Sequence, residues 1–212
     1  MMQLLWQSFC ETVLMVSLSS FFAIFLGGVL GTILNVTGLN GLYPHPWLYR
    51  ILSFWVNVVR SIPYIILTVL MIPFTRIFVG SSIGTMAAVI PLTVAGLLLI
   101  ARSVEDALRE VPQGLLDVGI ACGAKRRQIV WKILLPEALP AIAASATLVT
   151  INIIGFSAMA GAVGGGGLGD LAIRYGYQRY DLELLFFIVI ALVVLVQIVQ
   201  TIGAKLVKHL GC

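Results

Sequence analysis

The chain has 212 residues, of which 60% are hydrophobic and 10% are charged, and its mean hydropathy is +1.06. Globular proteins carry about 25% charged residues, so this composition excludes an ordinary water-soluble fold and indicates a membrane protein. The net charge of +4 is interpreted as a signal of membrane orientation rather than of nucleic-acid binding. The cysteines, Cys10, Cys122 and Cys212, include no CxxC pair, so neither a disulfide framework nor a thiolate metal site is predicted.

Five apolar segments are predicted to cross the membrane, because a helix needs about 20 apolar residues to span a hydrocarbon core about 30 Å thick. The second segment contains Arg60, Pro63 and Pro73 but is otherwise apolar, and we expect Arg60 to reach the membrane interface. The fold class is therefore all-α, with one transmembrane domain over residues 1–212. In chain order the predicted spans are about 12–36, 51–75, 77–101, 138–162 and 184–204.

Lysine and arginine divide ten to three between the two faces that these spans define. Because basic residues accumulate on the cytoplasmic side, this predicts an amino terminus outside and a carboxyl terminus in the cytoplasm. The cytoplasmic face is expected to carry Arg50, Arg60, Arg102, Arg109, Lys125, Arg126, Arg127, Lys132, Lys205 and Lys208. The outer face is expected to carry Arg76, Arg174 and Arg179.

Residues 102–137 hold eleven of the 22 charged side chains (13 basic and 9 acidic) and form the predicted cytoplasmic loop. Pro112 suits the first position of a short helix and Gly123 suits its end. A second helical piece is predicted from Lys125, and Pro136 is expected to mark the start of the next span. The spacing leaves open whether the loop packs on its own membrane helices or on a soluble partner. The first helix is predicted to present one face made of Leu115, Leu116, Gly119, Ile120 and Gly123.

The fourth span is the predicted lining of a translocation path. Ser145, Asn152 and Met159 are seven residues apart, so they form one stripe along a helix. Polar groups in hydrocarbon are costly unless they face protein or water, and Met159 could act as an apolar plug among small residues such as Gly155 and Ser157. Ordinary helix packing explains the same residues. Beyond this span, the glycines at 164–167 predict a turn or a re-entrant loop.

One stretch of the loop resembles a known signature. Residues 117–136, DVGIACGAKRRQIVWKILLP, resemble the EAA loop of bacterial ABC importer permeases, in which nine residues separate a glycine from an Ile-x-Leu-Pro ending. Here Gly123 precedes Ile133 and Pro136 with this spacing, whereas Asp117, Val118 and Gly119 replace the usual Glu-Ala-Ala. The residues that the resemblance implies for coupling to an ATPase are Leu115, Leu116, Asp117, Gly119, Ile120, Gly123, Ala124, Arg126, Arg127, Ile133 and Pro136.

Further segments, among them VRSIPYIILTVLMIPFTR (59–76) and GFSAMAGAVGGGGLGDLAIRYGYQRY (155–180), resemble the methionine uptake family of these permeases. The resemblance implies a type I ABC importer permease of five helices in the bacterial inner membrane. It also implies a homodimer, two cytoplasmic ABC ATPase subunits and an external methionine-binding lipoprotein, with L- or D-methionine as substrate. The chain has no GxxxxGK[ST] phosphate loop, so we expect ATP and magnesium on the partner, no cofactor here and no enzymatic activity.

Two other functions remain open at this point. A permease for another small amino acid would have the same features. An ion-coupled secondary carrier would also be a bundle of apolar helices, but such carriers need ionisable groups deep in the membrane, and Arg60 is the single candidate. An intramembrane enzyme is disfavoured because His45 and His209 lie in a loop and in the tail, and no GxSxG motif is present.

Overall fold

The computed structural model describes residues 2–39 and 41–211, so Cys212, counted above, lies outside the described residues. The described chain is built from helices joined by short turns. A π-helical turn, Val130–Leu134, connects two of them, and another, Ala172–Tyr177, prolongs a third. In chain order the α-helices are α1 (Met2–Thr37), α2 (Pro46–Arg60), α3 (Tyr64–Leu70), α4 (Ile72–Val79), α5 (Thr85–Arg109), α6 (Gln113–Ala121), α7 (Arg126–Ile129), α8 (Leu135–Ala162), α9 (Gly167–Leu171) and α10 (Leu182–Leu210).

Four helical stretches are long and apolar enough to cross a membrane: α1, α5, α10 and the continuous stretch Arg126–Ala162. The pair α2 and α3 meets the same criterion together, but the two helices are bent by 105°. The predicted segment 51–75 is therefore not one helix. Pro63 accounts for the break, because proline cannot donate a backbone hydrogen bond and disfavours a helical conformation at Ile62. Arg60, the last residue of α2, lies at this break and is exposed.

The prediction that residues 77–101 form a single helix is also wrong. Its first residues belong to α4, and a turn separates them from α5. Gly80 and Gly84 have φ angles of +77° and +108°, a backbone region in which side chains are strained. Gly80 ends α4 and Gly84 precedes α5. The hydropathy of the segment does not show this interruption. At its other end α5 continues to Arg109, beyond the predicted limit at residue 101.

The centre of the bundle is formed by α1, α5 and α8, which cross one another closely. Gly27 of α1 lies against α5, where a Cβ would be 2.6 Å from the carbonyl oxygen of Leu97. One turn later, a Cβ at Gly31 would be 2.8 Å from the Cβ of Val104. Small residues at this spacing let two helices in lipid approach to backbone contact. Substitution of either glycine by a larger residue would force α1 and α5 apart.

The remaining long helix, α10, packs on α8. The two helices approach closely at Gly203. A Cβ placed on Gly203 would collide with the side chain of Thr147 of α8, so only glycine fits there. At the other end of α10, Leu184 and Ile188 are buried with Leu168 and Leu171 of α9. Because α9 returns into the bundle, it is held on one side by α10 and on the other by α1 and α8.

Candidate functional site

The segment between α5 and α8 contains the two short helices that the sequence predicts. Pro112, predicted at the first position of this helix, lies one residue before it, because α6 begins at Gln113. Gly123 has a φ of +75°, and the amide of Ala124 donates to the carbonyl oxygen of Gly119 at 3.0 Å. This left-handed ending satisfies a carbonyl group of the last turn and turns the chain sharply towards α7.

Gly119 sets the position of α6 against the rest of the chain. It is buried, and a Cβ there would lie 2.7 Å from Cδ1 of Ile133 in the π turn. Leu116 on the same side packs against the core. The predicted face is therefore divided, because Leu115 and Ile120 are exposed. Val118, outside that predicted face, is 61% exposed. Leu115, Val118 and Ile120 are thus exposed apolar side chains of α6, although Val118 and Ile120 project about 160° from each other.

The second short helix is not separate from the fourth span. Arg126 to Ala162 form one continuous helical stretch, and Pro136 is the second residue of α8 rather than the start of a new element. Proline lacks the amide hydrogen and its ring clashes with the carbonyl four residues earlier. The π turn Val130–Leu134 changes the hydrogen-bond register just before Pro136, which accommodates the proline without ending the helix. The short helix α7 and the span α8 are therefore parts of one continuous helix.

One face of α8 has no contact partner within the described chain. Asn152, Gly155 and Met159 are exposed, and nothing lies within 4 Å of a Cβ placed on Gly155. Ser145, half-buried, continues this stripe towards α7, and Leu148, which the sequence analysis missed, is 63% exposed on it. Positions 145, 148, 152, 155 and 159 follow helical spacing, a signal that was available in the sequence.

Ser157 does not share this face. It is 1% exposed, and its hydroxyl donates to the carbonyl oxygen of Ile154 at 2.7 Å. Its neighbour Phe156 stacks on Tyr64 of α3, with ring centroids 4.7 Å apart. Since Ser157 points into the bundle of its own chain, its surroundings fit a packing position. The structure thus brings together four of the five residues predicted for the path, and separates the fifth.

The glycines at 164–167 form a tight turn from which the chain re-enters the bundle. Gly164, Gly166 and Gly167 have φ angles of +84°, +77° and +74°. Where α9 crosses the end of α8, a Cβ on Gly161 would collide with the backbone of Gly169 and Asp170. Of the two predicted alternatives, a turn or a re-entrant loop, the structure shows the turn, and the short helix after it folds back against the span that precedes it.

Side chains of α1 hold the start of this re-entrant helix. Oε2 of Glu11 accepts a hydrogen bond from the amide of Gly167 at 2.9 Å, and Oγ1 of Thr12 accepts one from the amide of Leu168 at 2.8 Å. Helix amino termini leave such amides unpaired and favour negative charge. Further along, Asp170 and Arg174 form a salt bridge, and the hydrogen bond that Arg174 donates to the Asp170 carboxylate raises the pKa of Arg174. The sequence analysis did not identify Glu11.

A second missed cluster ties α2 to α5. Glu105 is fully buried and forms salt bridges with Arg102 and Arg109, three residues before it and four after it. The hydroxyl of Tyr49 donates to Oε1 of Glu105 at 3.1 Å, and Nη2 of Arg102 donates to Oγ of Ser53 at 2.8 Å. A buried carboxylate needs such partners. The spacing of the three charges on α5 was a readable signal of helical ion pairs.

This arrangement can be compared with known proteins. The family of binding-protein-dependent transport system inner membrane components matches residues 23–210 of the chain. The chain belongs to this family. Members of the family are transport components, so the chain is a multi-pass membrane permease subunit and not an enzyme. The family predicted from the loop signature is thereby confirmed.

Two curated relatives and one solved structure show how close the similarity is. The probable D-methionine transport system permease protein MetI of Vibrio cholerae is 47% identical over 199 residues, which cover 94% of this chain and 88% of the relative. The D-methionine transport system permease protein MetI of Escherichia coli is 49% identical over 161 residues, or 76% of this chain and 74% of the relative. A chain of the MetNI methionine ABC transporter in an inward-facing conformation superposes with a TM-score of 0.96 at 46% identity, covering 99% and 97% of the two chains.

These similarities confirm the predicted fold class, an all-helical permease of the type I ABC importer architecture. They also favour the ATP-driven importer over the ion-coupled carrier, because the family depends on a binding protein and the matched transporter is an ABC system.

Proposed function

We propose that this chain is the permease subunit of an ATP-driven importer for methionine, in its L or D form. The observation that carries the proposal is the superposition on the MetNI methionine ABC transporter over 99% of the chain at 46% identity. The D-methionine permeases of Vibrio cholerae and Escherichia coli, at 47% and 49% identity, support the same substrate. Residues 1–212 act as one transmembrane domain in this proposal.

The translocation path is formed between two copies of the chain. The stripe Leu148, Asn152, Gly155 and Met159 on α8 supports this, because it is exposed and unpaired within one copy. An asparagine exposed to lipid would be costly, whereas at a two-fold axis its amide faces water or the partner. Met159 from each copy would meet near the axis and close the path to polar solutes by excluding water.

The coupling element is α6, whose apolar side chains Leu115, Val118 and Ile120 are exposed. A separate ATPase subunit surrounds the exposed sides of α6, binds ATP and magnesium, and supplies the mechanical work. Because Gly119 fixes α6 on the π turn and the helix from Arg126 to Ala162 is continuous, a displacement of α6 moves α8 as a rigid body. This geometry joins ATPase closure to the face that carries Met159. Asp117 on α6, and Arg126 and Arg127 at the start of α7, are exposed polar groups of the same segment.

The orientation is amino terminus outside and carboxyl terminus in the cytoplasm. The ten-to-three division of basic residues supports it, and so does the location of α6, which must reach a cytoplasmic ATPase. The turn at 164–167 then faces the external binding protein, with exposed Tyr177 and Tyr180 beside it. A fluorescent reporter fused to the carboxyl terminus should fold and emit in the cytoplasm, whereas activity of a periplasmic reporter there would contradict the orientation.

The proposed function is tested by transport in proteoliposomes. The chain is purified with its co-expressed ATPase, reconstituted, and supplied with the methionine-binding protein and labelled L- or D-methionine. We expect accumulation against a gradient that requires ATP, and none when the ATPase carries a substitution that prevents hydrolysis. Accumulation driven by an ion gradient without ATP, or ATP-driven uptake of other amino acids but not methionine, would contradict the proposal.

A further inference from the structure

A long apolar groove runs between α1 and the stretch from α7 into α8. Its volume is about 780 Å³, and its lining includes Phe25 and Gly28 of α1 together with Trp131 and Leu139. On α1 it extends from Ile24 to Thr37, which at 1.5 Å per residue is about 20 Å. One leaflet of the hydrocarbon core is about 15 Å thick. The groove therefore has the length of one leaflet together with the adjoining interface.

The groove offers an occupant almost no polar partner along its length. Its two threonines already bond within α1, since Oγ1 of Thr32 donates to the carbonyl oxygen of Gly28 at 2.8 Å and Oγ1 of Thr37 to that of Ile33 at 2.7 Å. The other lining residues away from its end are aliphatic, aromatic or glycine. A polar solute such as an amino acid would lose its hydration there without compensation. The groove is thus suited to a hydrocarbon chain.

Positive charge is concentrated at one end of the groove. Arg127 lines that end, and no carboxylate is among the described residues that line the groove. The guanidinium of Arg126 lies 5.5 Å from the ring centroid of Tyr43, which also lines the groove. The salt bridges found in residues 2–39 and 41–211 use other arginines. Two cations that have no acidic partner there match a phosphate group.

We infer that this groove binds one anionic phospholipid per chain, with an acyl chain between α1 and α8 and the phosphate at Arg127. On the orientation proposed above, the lipid belongs to the cytoplasmic leaflet, where juxtamembrane basic residues attract anionic head groups. A second copy of the chain does not fit this position. Leu139 and Asn152 are 13 residues apart and project from α8 about 140° from each other, so the groove faces away from the proposed dimer stripe.

The site lies next to the coupling segment. Trp131 and Val130, which line the groove, belong to the π turn on which α6 rests. A lipid bound there contacts the same turn that transmits movement to α8. The inference concerns binding of a lipid and does not depend on the transported solute. A failed uptake assay and a failed lipid assay are therefore separate results.

The test uses the full chain with its co-expressed ATPase, purified in mild detergent. Phosphatidylglycerol or phosphatidylcholine is added at equal concentration, and bound lipid is counted by native mass spectrometry. We expect one retained phosphatidylglycerol per permease chain and clearly weaker retention of phosphatidylcholine. Arg127→Gln should weaken phosphatidylglycerol binding about fivefold, and Lys205→Gln, an exposed cation on α10, should leave it unchanged. Equal retention of both lipids, or unchanged binding in Arg127→Gln, would overturn the assignment.

The acyl part of the site is tested by filling the groove. A Cβ on Gly28 has nothing within 4 Å, so Gly28→Leu places a side chain in the groove without a clash, and we expect the retained lipid to be lost. Ser17→Leu is the matched control, because Ser17 is exposed on nearly the same face of α1, three turns from Gly28. Retention of lipid in Gly28→Leu would overturn the proposal. So would loss of one permease copy from the complex, because the groove would then be a subunit contact.

Discussion

Glu11 connects two parts of the chain that are 156 residues apart in sequence. Its carboxylate accepts a hydrogen bond from the amide of Gly167, and the hydroxyl of the neighbouring Thr12 accepts one from the amide of Leu168. A Cβ on Gly167 would be 2.6 Å from Oγ1 of Thr12, so glycine is required for this approach. One pair of side chains thus fixes where the re-entrant helix α9 begins.

Replacement of Glu11 by alanine should loosen that start. Loss of a side-chain acceptor at a helix amino terminus costs about 1 kcal/mol, which corresponds to roughly fivefold faster opening. We expect hydrogen exchange of peptides covering residues 164–172 to accelerate by about that factor. Glu183→Ala is the control, since Glu183 is exposed and its carboxylate accepts no hydrogen bond in residues 2–39 and 41–211. Equal exchange in both variants would show that Glu11 does not hold α9.

Single residues also show the limits of sequence interpretation. The repeat of seven residues correctly placed Asn152 and Met159 on one face, because helical spacing fixes relative direction. The same spacing directs Ser157, two residues before Met159, about 160° away from that face, but its burial in the bundle and its bond to Ile154 required the structure. The pairing of Glu105 with Arg102 and Arg109 follows from spacing, but its full burial depends on Tyr49 of α2, which sequence patterns do not bring to it.

Among the helices, hydropathy correctly located α1, α5, α8 and α10 but not their ends. The average over a window does not register the glycine turn between α4 and α5 or the 105° bend between α2 and α3. Pro136 led to the opposite error, because it predicted the start of a new helix where the helix is continuous. Proline ordinarily ends a helix, yet the π turn before it allows the helix to continue from Arg126 to Ala162. The π turn is a property of the folded backbone, and the amino-acid composition does not predict it.

The exposed stripe of α8 predicts a contact between copies. In a variant whose native cysteines are replaced by serine, Met159→Cys should form a disulfide with the second copy on mild oxidation. Phe25→Cys is the control, because Phe25 is 64% exposed but lies on the groove and away from the stripe. Non-reducing electrophoresis should show a dimer for the first variant only. Absence of that dimer in every nucleotide state, or its appearance with Phe25→Cys, would contradict the proposed axis.

In the whole molecule, the helix α6, the π turn, α8 and the turn at 164–167 follow one another along the chain. The short helix α6 lies at one end, the π turn follows, and α8 extends past Met159. At the other end of α8, the turn at 164–167 and the helix α9 are fastened to α1 through Glu11. The loop signature predicted the first of these parts from sequence. The connection between them required the structure, because it depends on the contact of Gly119 with Ile133 and on helix continuity.

Gly123 gives the most direct test that α6 couples ATP hydrolysis to transport. Its φ of +75° would cost a larger residue roughly 1–2 kcal/mol, so Gly123→Leu should displace the end of α6. Gly123→Asn is the matched control, because asparagine tolerates this left-handed region whereas leucine does not. In proteoliposomes with the ATPase, we expect Gly123→Leu to retain ATP hydrolysis but lose at least tenfold in ATP-driven methionine uptake, while Gly123→Asn keeps both. Equal uptake per ATP hydrolysed in the two variants would contradict the role of α6.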